Sequence, residues 1–385
     1  MGNKTARSSG QFKRNTRGST SLAEDEENSK AGMTLVVPDS DDSCNPKLNK
    51  QLKLTKRKQE SCHEHQVQKR ERIGNDQDKP TESASLTRPR AHTPPLADTS
   101  LERKRNVNKV VFGKQEIRAW FYSPYPSEFG TYVERLYICE HCLLYMNEGT
   151  QLQAHKCHCK KRRPPGKVIY VRNKIKVFEI DGRDHKLYCQ SLCLMAKLFL
   201  DHKTLYYDVE GFKFYVLTEQ DNRRADHVVG YFSKEKISYD NYNLACIMVL
   251  PTHQRKGYGR LLIELSYELS KREGIIGSPE KPLSELGLLG YRSYWTATIL
   301  SMLRTVHGQI SIDTLCKKTH IHIDDVLDTL TRLGLLDFQK KRIITREDGV
   351  EMRVVDICIT KAMIEEAITK YKAKSERKFD PQCMR

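Results

Sequence analysis

Hydrophobic and polar positions alternate with different spacings along this 385-residue chain, and the spacing predicts its elements. Short apolar runs typical of β-strands occupy residues 168–171, 176–180, 212–217, 228–232 and 244–250. A buried helix over residues 189–200 is predicted by apolar side chains three and four apart, at Leu192, Met195, Leu198 and Phe199. Strands mixed with helices indicate an α/β or α+β core.

Beyond residue 309 the pattern becomes helical again. It predicts helices over residues 310–317 and 324–333, then Gly334 as a cap and a strand over residues 340–345. This order is compatible with a winged-helix-like module over residues 309–385. Such a module could read DNA or pack against the core, and packing is the simpler expectation.

The first 105 residues contain one aromatic residue, Phe12, of the 31 Phe, Tyr and Trp in the chain. A segment so poor in large apolar groups cannot bury enough surface to offset its ordering entropy. We therefore expect residues 1–105 to form a disordered basic tail. A folded domain is expected from about residue 106, where the sequence changes to aromatic and β-branched runs.

The net charge of +17 favours polyanionic partners such as DNA phosphate, with +6 from residues 1–105 and +11 from the remainder. Basic clusters at residues 56–58 and 69–72 have the spacing of a two-part nuclear import signal, or are ordinary solvated charge. We find no apolar run long enough for a signal peptide core or a membrane helix. The twelve scattered cysteines fit reduced thiols, with metal binding as the natural use of a cluster.

One such cluster consists of Cys139, Cys142, His155 and Cys159, whose spacing is typical of a zinc finger. Three sulfurs and one nitrogen complete a tetrahedron, so the predicted site is structural and not catalytic. Cys157 and His158 lie inside the last interval and could replace the fourth ligand. A single finger could read bases, but we expect it to hold neighbouring strands together.

A glycine-containing turn joins the last predicted core strand to a helix with Leu261, Leu262, Leu265 and Leu269 on one face. Glycines let the backbone approach a diphosphate, and the helix N-terminus directs unpaired N–H groups at the anion. Three cationic side chains strengthen this reading. The predicted phosphate-binding residues are Gln254, Arg255, Lys256, Gly257, Tyr258, Gly259 and Arg260.

From about residue 106 the chain resembles the MYST family of histone acetyltransferases. The resemblance is carried by the zinc spacing and by long runs, which read WFYSPYP at 120–126, LFLDHKTLYYD at 198–208, VGYFSKEK at 229–236, QRKGYGRLL at 254–262 and SPEKPLS at 278–284. It looks most similar to members that carry a chromo-barrel, but we expect no such barrel in residues 1–105, which lack its aromatics.

The resemblance implies a GNAT-like N-acetyltransferase core over residues 167–308, preceded by a segment over 106–166 whose zinc finger spans about 137–162. It implies transfer of acetyl from acetyl-CoA to lysines of histone tails, the fourth core histone above all, with structural Zn²⁺ and a nuclear location. Histone tails, nucleosomes and subunits of a chromatin complex are the implied partners. Other readings are a non-catalytic chromatin-binding scaffold and an acetyltransferase of non-histone proteins.

Residue roles implied by the resemblance begin with Glu280 as the general base. A lysine of pKa about 10.4 is neutral in roughly one molecule in 2,500 at pH 7, so a base is expected. Cys246 either accepts the acetyl group, lines the acetyl pocket or is simply core. Lys203 matches a lysine that the family acetylates on itself. The further cofactor-binding residues are Ile247, Met248, Val249, Ser284 and Ser293.

Overall fold

The computed structural model describes residues 33–37, 105–204, 206–336, 339–345, 351–373 and 378–385. The chain divides into two compact units, which are described separately. The core unit contains residues 1–41, 161–189 and 208–385, and the finger unit contains residues 42–160 and 190–207. The finger unit is therefore built from two separate stretches of chain.

The core unit is built on a five-stranded sheet in which all neighbours are antiparallel. Its strands, in spatial order, are β11 (Cys246–Val249), β9 (Asp226–Glu235), β8 (Phe212–Gln220), β7 (Ile175–Asp181) and β6 (Lys167–Arg172). Four of these strands were predicted by short apolar runs, and the structure confirms them. Each strand is longer than its predicted run by a few residues, most of them polar, because backbone pairing continues beyond the apolar side chains.

The fifth predicted strand, residues 244–250, differs from the structure because it is broken at Ala245. Before the break, β10 (Tyr242–Leu244) pairs in parallel with β12 (Ser278–Pro279). After it, β11 pairs antiparallel with β9, and the Ala245 N–H donates to the Ser233 oxygen at 2.8 Å. One continuous apolar run thus serves two sheets.

Among the described residues, three α-helices lie between β6 and the C-terminal module. The first is α2 (Lys186–Lys197), which starts three residues before its predicted position and passes from the core unit into the finger unit. The second is α3 (Tyr258–Glu273), which buries Leu262 and Leu265 against the five-stranded sheet. The third, α4 (Glu285–Thr305), was not predicted, since its small and aromatic residues give no clear apolar stripe.

The C-terminal module follows the predicted order of two helices and a strand. It contains β13 (Gly308–Ser311), α5 (Ile312–Thr319), α6 (Ile323–Arg332), β14 (Gln339–Thr345), β15 (Glu351–Cys358) and α7 (Lys361–Lys370). The pairing of β14 with β15 completes a winged-helix-like arrangement, and Gly334 takes the left-handed conformation expected of a cap. The second strand of the hairpin and α7 were not predicted.

One short segment of the expected disordered tail differs from that expectation. Residues Met33–Val37 form β1, which pairs antiparallel with β13 and parallel with β15. Leu35 and Val37 are fully buried, because alternate residues of a strand share one face and both are strongly apolar. The rest of the predicted tail up to residue 104, including both basic clusters, lies outside the described residues.

The finger unit contains a four-stranded sheet with the order β3-β2-β4-β5. Its elements are β2 (Val107–Phe112), β3 (Gln115–Arg118), β4 (Val133–Ile138), β5 (Tyr145–Met146) and helix α1 (Gly149–His158). Of the helices that the structure describes in either unit, none combines the length and apolar character needed to cross a membrane.

Candidate functional site

The predicted zinc ligands converge in the finger unit. The sulfur and ring-nitrogen atoms of Cys139, Cys142, His155 and Cys159 all lie within 4.8 Å of one another. Cys139 follows the last residue of β4, and a tight turn through Leu143, at a left-handed φ of 63°, returns the chain to β5. Helix α1 supplies the second pair, since His155 lies in its last turn and Cys159 follows its end.

The chemistry of this group suits a zinc ion. Hydrogen bonding to Cys142 lowers the pKa of the Cys139 thiol, which favours the thiolate that a metal requires. Among the described residues the competing candidates are not part of the group: Cys157 is exposed, and the His158 ring interacts with the Ala154 oxygen at 3.0 Å. Four ligands leave no open coordination position, so the site stabilises the finger and performs no chemistry.

The predicted phosphate-binding turn joins β11 to α3. Gly257 adopts a φ of 91° as the N-cap of α3, and Arg255 also has a left-handed φ of 61°. A residue with a Cβ is strained at a φ of 91°, which explains why position 257 is a glycine. Arg255 and Lys256 are exposed beside the N-terminus of a 16-residue helix, whose first N–H groups have no partner within the helix. This arrangement can bind an anion.

Tyr258 and Arg260 are held by neighbouring side chains. The Tyr258 hydroxyl donates to Glu219 at 2.9 Å, and burial together with this acceptor raises the pKa of Tyr258 to about 12. The Arg260 guanidinium donates to Glu264 at 2.6 Å and to the Ser293 hydroxyl at 3.3 Å, and its centre lies 5.1 Å from the Tyr294 ring. The structure thus brings Arg260 and Ser293, both predicted from the sequence, into contact.

The predicted acetyl-binding strand, β11, is the edge strand of the five-stranded sheet. Ile247 and Val249 are half-buried, and Met248 is buried against the sheet. The Gln254 side chain donates to the Val249 oxygen at 3.1 Å, which fixes the start of the turn to the end of the strand. Among the described residues no strand pairs with the outer side of β11, so backbone groups there can receive an extended ligand.

The candidate base lies beside this strand. The Glu280 N–H donates to the Leu244 oxygen at 2.8 Å, and Leu244 precedes Cys246 by two residues. Glu280 is exposed and Cys246 is half-buried. The candidate base and the strand predicted to hold the acetyl group are neighbours, because β10, which precedes β11, pairs with β12, which precedes Glu280.

Two further predicted residues have clear structural positions. Ser284 is the N-cap of α4, and its hydroxyl accepts from the Gly287 N–H at 3.2 Å. Lys203 belongs to the finger unit and is 7% exposed. Neither observation tests the roles implied by the sequence, so cofactor contact at Ser284 and acetylation at Lys203 stay predictions.

The buried carboxylate of Glu264 was not predicted from the sequence. It connects the turn from Gln254 to Arg260 with the C-terminal segment 378–385. One oxygen accepts from Arg260, and the other accepts from the N–H groups of Lys378 and Phe379, both at 2.8 Å. Phe379 in turn stacks on Tyr170 of β6 with ring centroids 4.8 Å apart. The sequence contains one sign of this role, because Glu264 is an acid that lies three residues after Leu261, within the apolar face of α3.

Two family models cover most of the chain. The MOZ/SAS family matches residues 163–384, and the MYST family zinc finger domain matches residues 104–159. The boundary between the two matches agrees with the division of the units near residue 160, although the first match also includes residues 190–207 of the finger unit. The second match includes all four clustered metal ligands.

Curated relatives with similar sequences come from animals, plants and fungi. The chain is 50% identical over 243 residues to histone acetyltransferase MOF of Drosophila melanogaster, covering 63% of this chain and 29% of that protein. It is 52% identical over 236 residues to histone acetyltransferase of the MYST family 2 of Arabidopsis thaliana, covering 61% and 53%. With histone acetyltransferase mst1 of Schizosaccharomyces pombe it shares 49% identity over 254 residues, covering 66% and 54%. The chain thus spans about half the length of these relatives, or less.

A solved aminoglycoside acetyltransferase from an uncultured soil metagenomic sample aligns with 32% of this chain and 86% of its own. The identity is 14% and the TM-score is 0.23, a likeness too small to define the fold.

Zinc binding can be tested with a matched pair of cysteine variants. We expect Cys159→Ser to lose most of its zinc and to unfold the finger unit, because a structural site contributes folding free energy only with its full ligand set. Cys157→Ser should keep one zinc ion per chain, since its side chain is outside the group. Metal analysis of both purified variants measures their zinc content. If Cys159→Ser kept its zinc and Cys157→Ser lost it, Cys157 would be the fourth ligand in place of Cys159.

The Glu264 contacts predict a large effect on stability. Glu264→Gln should lower the free energy of unfolding by about 3 kcal/mol, because it leaves a mostly buried Arg260 without its counter-charge. Glu268→Gln is the control and should cost about 0.5 kcal/mol, since Glu268 pairs at the same spacing with Arg272, whose side chain is 47% exposed and keeps its hydration. Urea unfolding of both variants measures the difference, and similar losses would show that the backbone contacts of Glu264 add nothing.

Proposed function

We propose, because this chain belongs to the MOZ/SAS family, that it is a protein lysine acetyltransferase with acetyl-CoA as its co-substrate. One observation carries the proposal: the hydrogen bond between Glu280 and Leu244 fixes an accessible carboxylate beside the edge strand β11. A base next to an open strand that leads into an anion-binding turn is the arrangement that acyl transfer to an amine requires.

The residues that would hold acetyl-CoA fit its parts. The turn from Gln254 to Arg260 offers helix N–H groups and cations to the diphosphate, with Gly257 as the position where a Cβ would be strained. The outer edge of β11 offers backbone groups to the pantetheine arm and the acetyl carbonyl. When bound, acetyl-CoA supplies the acetyl group as an activated thioester.

Glu280 acts as the general base in this proposal. Making a lysine amine neutral at pH 7 costs about 4–5 kcal/mol, which a nearby carboxylate reduces by accepting the proton as the amine reacts. Glu280 follows β12 directly and its side chain is exposed, so an incoming lysine can approach it from solvent. The amine would attack the acetyl carbon directly: the C–N bond would form as the thioester C–S bond breaks, the amine proton would pass to Glu280, and CoA would leave as its thiolate. Cys246 would line the acetyl pocket without forming a covalent bond.

We propose histone tails as the substrate, above all the tail of the fourth core histone. The support is that relatives near 50% identity are named as histone acetyltransferases. A nuclear location, nucleosome contact, membership of a chromatin complex and DNA phosphate contacts through the positive charge of the chain belong to the same proposal. Autoacetylation of Lys203 is a further part of it, because loss of charge suits a residue that is mostly buried.

The central test of the proposal is Glu280→Gln assayed on nucleosomes and on free polyamines. We expect kcat on nucleosomes to fall by roughly 10²- to 10⁴-fold, the usual contribution of a general base. Acetyl-CoA binding by calorimetry and zinc content should persist. Glu285→Gln, an exposed acid in the first turn of α4, is the control and should retain full activity.

Mass spectrometry of the acetylated nucleosomes identifies the substrate lysine in the same experiment. Full activity of Glu280→Gln would remove the assigned base. Failure of the unmodified chain to bind acetyl-CoA would favour a non-catalytic chromatin-binding scaffold, and preferential turnover of polyamines or non-histone proteins would exclude the histone assignment.

The role of Cys246 separates direct transfer from a covalent route. We expect Cys246→Ala to keep most of its kcat, because direct attack by the lysine needs no thiol. Rapid-quench mass spectrometry of the unmodified chain with acetyl-CoA should find no acetyl group on the peptide that contains Cys246. An acetyl-cysteine that forms and decays at the rate of turnover would establish the covalent route instead.

A further inference from the structure

A buried carboxylate of the C-terminal module contacts the loop that carries Glu280. Asp325 lies in the first turn of α6 and is 2% exposed. One of its oxygens accepts from the Ser278 hydroxyl at 2.7 Å, and the other lies 3.0 Å from the Lys281 ammonium. Ser278 and Lys281 flank Glu280 on its two sides, so one side chain holds both ends of the tetrapeptide that contains the base.

Burial of this charge is supported from three directions. The N-terminus of α6 favours a negative charge in its first turn, the Ser278 hydroxyl donates a hydrogen bond, and Lys281 supplies a counter-ion. The Lys281 side chain is 49% exposed, so its ammonium reaches from solvent toward a carboxylate that is almost fully enclosed. A buried charge with a complete set of partners has a defined position, because any displacement would leave it unpaired.

Backbone contacts attach the same loop to the module at a second point. The Gly277 N–H donates to the His320 oxygen at 3.1 Å, and the His322 N–H donates to the Gly277 oxygen at 3.1 Å. On its other side the loop pairs with β10 through Ser278 and Pro279. Gly277 is needed here, since a Cβ would lie 2.8 Å from the Asn243 side chain. The loop is thus fixed between β10 and the segment that leads into α6.

We propose that Asp325 is a positioning residue for Glu280, so that the winged-helix-like module sets the geometry of the acetyl-transfer step. The proposal rests on the function proposed above for Glu280. Asp325 itself contacts Ser278 and Lys281, and it acts by fixing the backbone between them. A base displaced by about 1 Å can cost about 100-fold in rate, so the carboxylate needs such support.

The test is a double-mutant cycle between Asp325→Asn and Glu280→Gln in the full chain. The kcat and the KM for acetyl-CoA are measured by steady-state kinetics on a histone-tail peptide. Asp325→Asn alone should lower kcat by about 10- to 100-fold, with the KM for acetyl-CoA unchanged, because the cofactor turn lies on another loop. In the Glu280→Gln background the same substitution should have little further effect, since the residue it positions is already absent. A purely structural role would lower activity by the same factor in both backgrounds.

Controls keep the outcome readable. Asp328→Asn, an exposed acid on the same helix, should leave kcat unchanged. If Asp325→Asn does not fold, Ser278→Ala and Lys281→Met can replace it, because each removes one contact of Asp325. Each should lower kcat when Glu280 is present and have little effect in the Glu280→Gln variant. If Asp325→Asn lowers kcat by the same factor with and without Glu280, the positioning role is overturned, while the proposal that Glu280 is the base stands. Full activity of Glu280→Gln would overturn the base, and with it the role of Asp325.

Discussion

The core unit depends on one constraint, the division of the apolar segment from Tyr242 to Val249 between two partners. Up to Leu244 the segment pairs with β12, and from Cys246 it pairs with β9. This change of partner leaves the outer edge of β11 open and brings the Glu280 loop alongside its beginning. The turn and α3 follow directly from the end of β11, so the anion-binding helix terminus is placed by the same division.

Much of this architecture could be predicted from the sequence, because the signals are local. Four core strands follow from runs of β-branched residues, and the zinc ligands follow from their spacing. The break at Ala245 was not predictable, since the residues on both sides are equally apolar and the cause is the position of Ser278 and Pro279, more than thirty residues later. Strand β1 was missed for a similar reason: four apolar residues and one threonine in a polar tail become a strand only where β13 and β15 provide edges.

The site shows the same division between local and distant information. The glycine turn and the candidate base Glu280 were predicted from short runs, whereas Glu264 and Asp325 contact residues far away in the chain. Each is an acid on the buried side of a helix, at a position where periodicity predicts an apolar residue. Such an acid indicates a partner elsewhere in the chain, because a charged carboxylate is stable in a protein interior only where hydrogen-bond donors or cations contact it. The sequence indicates that a partner exists, and the fold identifies it.

The finger unit consists of residues 42–160 and residues 190–207, with a stretch of the core unit between them. A ribosome therefore releases the four zinc ligands before the remaining residues of that unit have been synthesised. The finger cannot be completed until two strands of the core sheet, β6 and β7, have also emerged. A gene fragment that encodes either unit alone would therefore need an internal deletion with a new junction at residue 189 or 190, inside α2.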